Sequence, residues 1–248
     1  MKPSWSRWEV MGEAIFTYSL FAHFLGDFTF QTNKVALAKS QGIKGIAYHV
    51  FICLIIDCIA LSIFGWKGFL FAVLNCGIHL GVDVIKVTYG NYLKHFQIVG
   101  FFIDQVIHIG ILWVLSKMFE PIAPFWLPLE EKTILFLVLI IVITYVNTVM
   151  IKQVLFDLQL INIRDTGFFA TGERSIDSFY CLIVAFFFAY TPLIISISGL
   201  AMISCFYYKI QNKKWHYKYE VIGIKCGLYI GSTGLLLKLY LLLLSTFY

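Results

Sequence analysis

Eight apolar segments occupy this chain, at about residues 14–30, 46–63, 68–89, 98–118, 132–151, 176–190, 192–208 and 219–245. Each is near or somewhat below the roughly 20 residues that carry a helix across a bilayer. Hydrocarbon offers no water to the backbone, so segments of this kind must close their hydrogen bonds internally, as helices. The pattern predicts an all-α, polytopic transmembrane bundle of about eight spans. Pro192 divides two short segments that read as a re-entrant pair, two thin spans or one kinked helix, so six or seven crossings also fit. Composition agrees: 60% of the 248 residues are hydrophobic, 13% are charged and the mean hydropathy is +0.82, outside the range of soluble domains. No short basic leader with a cleavage site precedes the first segment, which is read as a retained span.

Basic residues orient the chain. Under eight crossings, Lys34, Lys39, Lys44, Lys86, Lys94, Lys152, Arg164, Arg174, Lys209, Lys213, Lys214 and Lys218 fall on one side. Only Lys2, Arg7, Lys67, Lys117 and Lys132 fall on the other. The positive-inside rule then places both termini outside the cytoplasm. The net charge of +5 is this loop bias and calls for no nucleic-acid partner. Two parts are expected, a four-span core over 1–118 and a helical extension over 119–248 with a cytoplasmic loop at 152–175.

Polar residues inside the apolar segments carry the chemistry. Asn75, His79 and Asp83 stand at i, i+4 and i+8, so they line one helical face. His23/Asp27 and Asp104/His108 repeat the i, i+4 pairing, and His49 adds a fourth imidazole. In the predicted topology all seven lie at the cytoplasmic ends of four consecutive spans, within a slab roughly 10 Å thick at the helical rise. Ionisable groups in lipid are costly unless paired or ligated, so this face must look inward. Imidazole with carboxylate suits one or two divalent transition-metal ions (zinc, manganese or iron), with His23, Asp27, His49, His79, Asp83, Asp104 and His108 as candidate ligands. A hydrogen-bonded network that fixes helix register, or a proton or ion path, would use the same residues. Asp57 lies two turns deeper. The six cysteines are scattered without a CxxC pair and read as reduced packing residues.

In the cytoplasmic loop, Arg174 offers a planar fork that suits an anion, or else anchors a helix start beside Glu173. His95 and His216, with Trp215 and Tyr217, read as interfacial, part of an aromatic and basic belt facing anionic headgroups. No P-loop, Gly-x-Ser-x-Gly or dinucleotide fingerprint is present. Six histidines, none adjacent, exclude the HxxHH clusters of membrane di-iron desaturases.

His23-Phe-Leu-Gly-Asp27-Phe-Thr-Phe-Gln31, His49, His79-Leu-Gly-Val-Asp83-Val-Ile-Lys86 and Asp104-Gln105-Val-Ile-His108 together resemble the bacterial membrane family catalogued as domain of unknown function 3307, over about residues 14 to 115. Gly172-Glu173-Arg174 and the last span, from Tyr219-Glu220 through Gly231-Ser232, are similar to the C-terminal extension of its longer members. The resemblance implies no established activity. Spaced His and Asp residues on membrane helices are also similar in style to membrane-bound metal-dependent hydrolases, an analogy that does not carry function by itself. The expected function is metal-dependent hydrolysis of a membrane lipid or lipid-linked substrate, with Asp83 or Asp104 as base and Arg174 as anion clamp. The alternatives are a divalent-cation or proton transporter and a structural membrane subunit.

Overall fold

The computed structural model describes residues 7–89, 97–119, 124–125, 129–161, 171–190, 193–215 and 218–247. Lys94, His95, Arg164, His216 and Tyr217 lie outside them. Among the described residues there is no strand, as the apolar pattern requires. The helices are α1 (Arg7–Phe24, continued by a π turn, Leu25–Thr29), α2 (Asn33–Ser40), α3 (Ile43–Leu61), α4 (Gly65–Tyr89) and α5 (Gln97–Met118). There follow α6 (Glu131–Ile141, continued by a π turn, Val142–Val146), α7 (Asn147–Asp157), α8 (Thr171–Tyr190), α9 (Leu193–Trp215) and α10 (Tyr219–Phe247).

Among the described residues, four stretches are long and apolar enough to cross a membrane: Ile43–Tyr89, which contains α3 and α4, then Gln97–Met118, Glu131–Asp157 and Glu220–Ser245. Burial is inverted relative to a water-soluble protein. Ile59, Phe69, Val106 and Leu242 are exposed, while imidazoles, carboxylates and lysines are buried. A polytopic membrane bundle accounts for both, because apolar outer faces are at home in lipid and polar faces must turn inward. The chain forms two compact units, Met1–Val138 and Leu139–Tyr248.

In the first unit, α3 and α4 form a hairpin closed by a 3-10 turn, Ser62–Phe64. Gly65 leaves that turn with φ +62, a conformation that favours glycine, and Phe125 lies against it so closely that a Cβ would overlap the ring. The turn end is packed with apolar side chains, among them Leu61, Ile63, Phe64, Phe71 and Leu112. α1 packs on α3 and α5, and its π turn touches α3 where Gly26 leaves room: a Cβ there would stand 2.9 Å from Cys53 Sγ.

Residues 33–40, expected as a cytoplasmic loop, instead form α2. Thr32 caps it, accepting from Val35 N at 3.4 Å, and Val35 is its buried side chain. Its end lies directly on α3, since a Cβ on Gly45 would run into the Ala38 carbonyl. That contact holds Lys39 over the end of the bundle.

In the second unit, α8 and α9 remove one of the three readings of the stretch around Pro192, which itself lies outside the described residues. They are two helices packed side by side, not one kinked helix: Tyr180 on α8 lies 2.7 Å from Ser204 Oγ through its hydroxyl and 4.5 Å from Tyr207 between ring centroids. α7 and α10 complete the unit, with Asn147 Nδ2 donating to Thr233 Oγ1 at 3.3 Å.

Gly45→Ala should destabilise the detergent-solubilised protein by about 1–3 kcal/mol, the usual cost of overpacking. Gly77→Ala, whose Cβ would meet nothing within 4 Å, should be neutral or stabilise by up to about 1 kcal/mol through helix propensity. Thermal unfolding of the two variants checks the difference.

Candidate metal centre

An i, i+4 spacing places two side chains on one helical face, and four helices of the first unit turn such faces toward a common point. α1 brings His23, and its π turn brings Asp27; α3 brings His49 and Cys53; α4 brings His79 and Asp83; α5 brings Asp104 and His108. All eight are buried.

Asp27 is central to one half of this cluster. Its Oδ1 lies 3.2 Å from His49 Nε2, 3.6 Å from His79 Nε2 and 3.8 Å from Cys53 Sγ. The π turn that carries it is closed by Phe30 N donating to Leu25 O at 2.8 Å, and π turns of this kind recur at functional sites. Asp83 organises the other half, 3.2 Å from His79 Nε2, 3.8 Å from His49 Nε2 and 4.0 Å from His108 Nε2. His108 is also 3.5 Å from Asp104 Oδ1, and the His79 and His108 rings lie 4.3 Å apart. His23 stands 3.9 Å from Asp27 and 5.2 Å, between centroids, from His108.

Two groups are tight enough to hold an ion. Asp27, His49, Cys53 and His79 each offer an atom within 4.8 Å of the others, and so do His79, Asp83 and His108. Several atoms of the cluster are buried without a hydrogen bond of ordinary geometry: Nε2 of His23, His79 and His108, and Oδ1 of Asp83 and of Asp104. A network built only to fix helix register would pair them, because an unmade hydrogen bond in the interior costs about 1–3 kcal/mol. Converging lone pairs left over in this way are what a ligand set looks like.

All seven residues singled out from the sequence therefore come together. Cys53 was missed, although it follows His49 at the same i, i+4 spacing as the other pairs. All six cysteines are free, as expected, but this one faces the cluster. Asn75, which shares a face with His79 and Asp83, has a different role. Its Nδ2 donates to Asp57 Oδ2 at 2.8 Å, and Cys76 Sγ approaches the same oxygen at 3.5 Å, fastening α4 to α3 below the cluster.

Two lysines stand at the polar end. Lys39 Nζ is 2.7 Å from Asp83 Oδ2 with its side chain 12% exposed, and Lys86 Nζ is 2.7 Å from Asp104 Oδ2 with its side chain 44% exposed. Burial works against the Lys39 ammonium, but the carboxylates of Asp27 and Asp83 more than offset this and hold its pKa above the ordinary lysine value. Gln105 Nε2 also donates to Asp104 Oδ2, at 3.1 Å.

The second unit holds a buried network of its own that the sequence did not announce. Glu173 pairs with Lys225 at 2.6 Å and Lys152 at 2.9 Å. One turn on, Asp177 accepts from Tyr207, from Gln211 Nε2 at 2.8 Å and from Tyr229 at 2.9 Å, and pairs with Lys225 at 2.9 Å. Two carboxylates face two ammonium groups, so this set is balanced within itself. Arg174 belongs to the same unit, buried with its guanidinium 5.1 Å from the centroid of the Tyr145 ring. Lys225→Met should cost about 3–5 kcal/mol, the scale of breaking a buried pair, whereas adding Asp177→Asn should cost less than the sum of the single changes. A double-mutant cycle by thermal or denaturant unfolding measures that coupling.

No curated protein and no solved structure matches the chain. The match is to a family model, and it spans the residues that carry the cluster: residues 15–136 match the family described as "Protein of unknown function (DUF3307)".

Proposed function

We propose that the first unit is a membrane metal centre, holding one or two divalent transition-metal ions, and that it hydrolyses a lipid or lipid-linked substrate. The observation that carries this is the convergence of four imidazoles, three carboxylates and a thiol from four helices, with lone pairs left unbonded at their centre. Asp27, His49, Cys53 and His79 are the first ligand set. Asp83 and His108 serve a second ion only if His79 is not shared, because Nε2 of a neutral imidazole has one lone pair to give. The thiol favours zinc or iron over manganese, which prefers oxygen ligands. An ion of this class supplies, when bound, Lewis acidity and water that ionises near neutral pH.

The remaining roles fall to the chain. Asp104 belongs to neither ligand group, and Lys86 and Gln105 hold its Oδ2 while Oδ1 faces His108. That leaves Asp104 as the carboxylate outside the ligand groups for the general-base role, once Lys86 releases it. His23 stands beside Asp27 and His108 as a support for both.

Transport fits less well. The polar cluster continues inward only as far as the Asp57–Asn75 pair, and beyond it, among the described residues, the hairpin end is filled by Leu61, Ile63, Phe64, Phe71 and Leu112. A path across would have to open that apolar packing. A closed end suits a site that exchanges substrate at one face.

Elemental mass spectrometry on the detergent-purified protein should find one or two equivalents of a transition metal, lost in a His79→Ala/Asp83→Asn double variant. Cys53→Ser should keep the fold and weaken zinc binding at least about tenfold, in line with the loss of a soft ligand. A folded protein free of metal would end the proposal.

A further inference from the structure

The cations at the cluster are bonded to the very groups an ion would need. Lys39 sits on Asp83, and Lys86 sits on Asp104. Both reach in from the same end of the bundle, Lys39 from α2, pinned by the close contact at Gly45, and Lys86 from one turn beyond Asp83 on α4. Asp83 is a member of one ligand group, and Asp104 is tied to that group through His108.

Loading an ion changes the balance. Asp27, Asp83 and Asp104 with Lys39 and Lys86 leave one negative charge in excess when the imidazoles are neutral. One divalent ion bound with a Cys53 thiolate brings that total to zero, and two leave an excess of two positive charges; an ionised Asp57 lowers each total by one. An ammonium on a carboxylate that also faces a divalent ion is repelled by it, most strongly where water is excluded. The loaded site therefore has two ammonium groups displaced from their carboxylates, each in need of a new anionic partner. Lysine ammonium is a compact point charge that suits phosphate oxygens without imposing a planar geometry.

We propose that Lys39 and Lys86 form the anion subsite of the metal centre and that the substrate is a phosphate ester, whose phosphate takes over the two ammonium groups from Asp83 and Asp104. This rests on the metal-centre proposal above and narrows its lipid or lipid-linked substrate to a phosphoester. It also assigns anion recognition to two lysines whose positions in sequence suggested only membrane orientation.

The test uses the full-length protein, loaded with zinc, dialysed free of excess ion and checked for metal content, with inorganic phosphate titrated by calorimetry. A second arm compares the same protein in phosphatidylcholine nanodiscs with and without phosphatidic acid, which separates a headgroup from free phosphate. Phosphate should bind the loaded protein, and bind the metal-free protein at least about tenfold more weakly. Lys39→Gln and Lys86→Gln should each weaken phosphate binding at least about tenfold, the scale of one charge-assisted hydrogen bond. Lys39→Gln should at the same time tighten zinc binding, because the ammonium no longer competes for Asp83; a purely structural lysine would not move the two affinities in opposite directions. Lys86 is the more exposed of the two, so its variant reports on the subsite even if Lys39→Gln does not fold. Zinc bound at full stoichiometry with no phosphate binding in either arm, or with binding unchanged in the lysine variants, overturns the subsite and leaves the metal centre standing. A wild-type protein that takes up no zinc overturns both.

Discussion

Three carboxylates, Asp27, Asp83 and Asp104, lie buried in one cluster in the interior of the first unit, and their mutual repulsion is the constraint the surrounding structure answers. Burying a carboxylate without a partner costs several kcal/mol even after relaxation, and neighbouring ones add to the cost. The four imidazoles, Lys39 and Lys86 all face these oxygens. The partial answer is informative. Lysines neutralise part of the charge, yet Asp83 and three imidazoles keep atoms without well-formed hydrogen bonds. The Glu173/Asp177 set in the second unit differs in composition: its two carboxylates face two ammonium groups, with amide and phenol partners and no imidazole, so it offers far fewer metal-binding lone pairs.

The backbone is shaped to bring the cluster together. Gly26 lets the π turn of α1 touch Cys53, Gly45 lets α2 lie on α3, and the Gly65 turn returns the chain so that α3 and α4 present His49 and His79 to each other. The two rings stand 5.5 Å apart. Each of these contacts is a close approach that any side chain would push open, and each acts on a ligand-bearing element. The apolar packing at the hairpin turn keeps the other end shut, so the polar cluster opens toward the end from which the two lysines reach it.

Much of this was legible in the residues themselves. The apolar segments match the helices closely because helix is the one open conformation for a chain in lipid, and the i, i+4 pairs located the cluster because a costly polar group must have a partner. What escaped the sequence depended on tertiary contact. Lys39 read as a loop charge, since nothing local shows that residues 33–40 fold as a helix against Gly45. Cys53 read as packing, since one thiol in an apolar segment carries no pattern until Gly26 and Asp27 are beside it. Lys152 and Lys225 sit far from Glu173 in sequence, and only the packing of the second unit joins them. Asn75, on the same face as His79 and Asp83, finds its partner in Asp57, a pairing that the sequence did not show.

X-ray absorption at the metal edge, on purified full-length protein with any affinity tag removed, tests the central claim most directly, because it reports the ligands and not only the presence of an ion. The account predicts imidazole scattering with nitrogen and oxygen at about 2.0 Å and one sulfur at about 2.3 Å, the sulfur disappearing in Cys53→Ser. An ion with no imidazole or sulfur in its shell, or a folded protein with no metal edge at all, would contradict it.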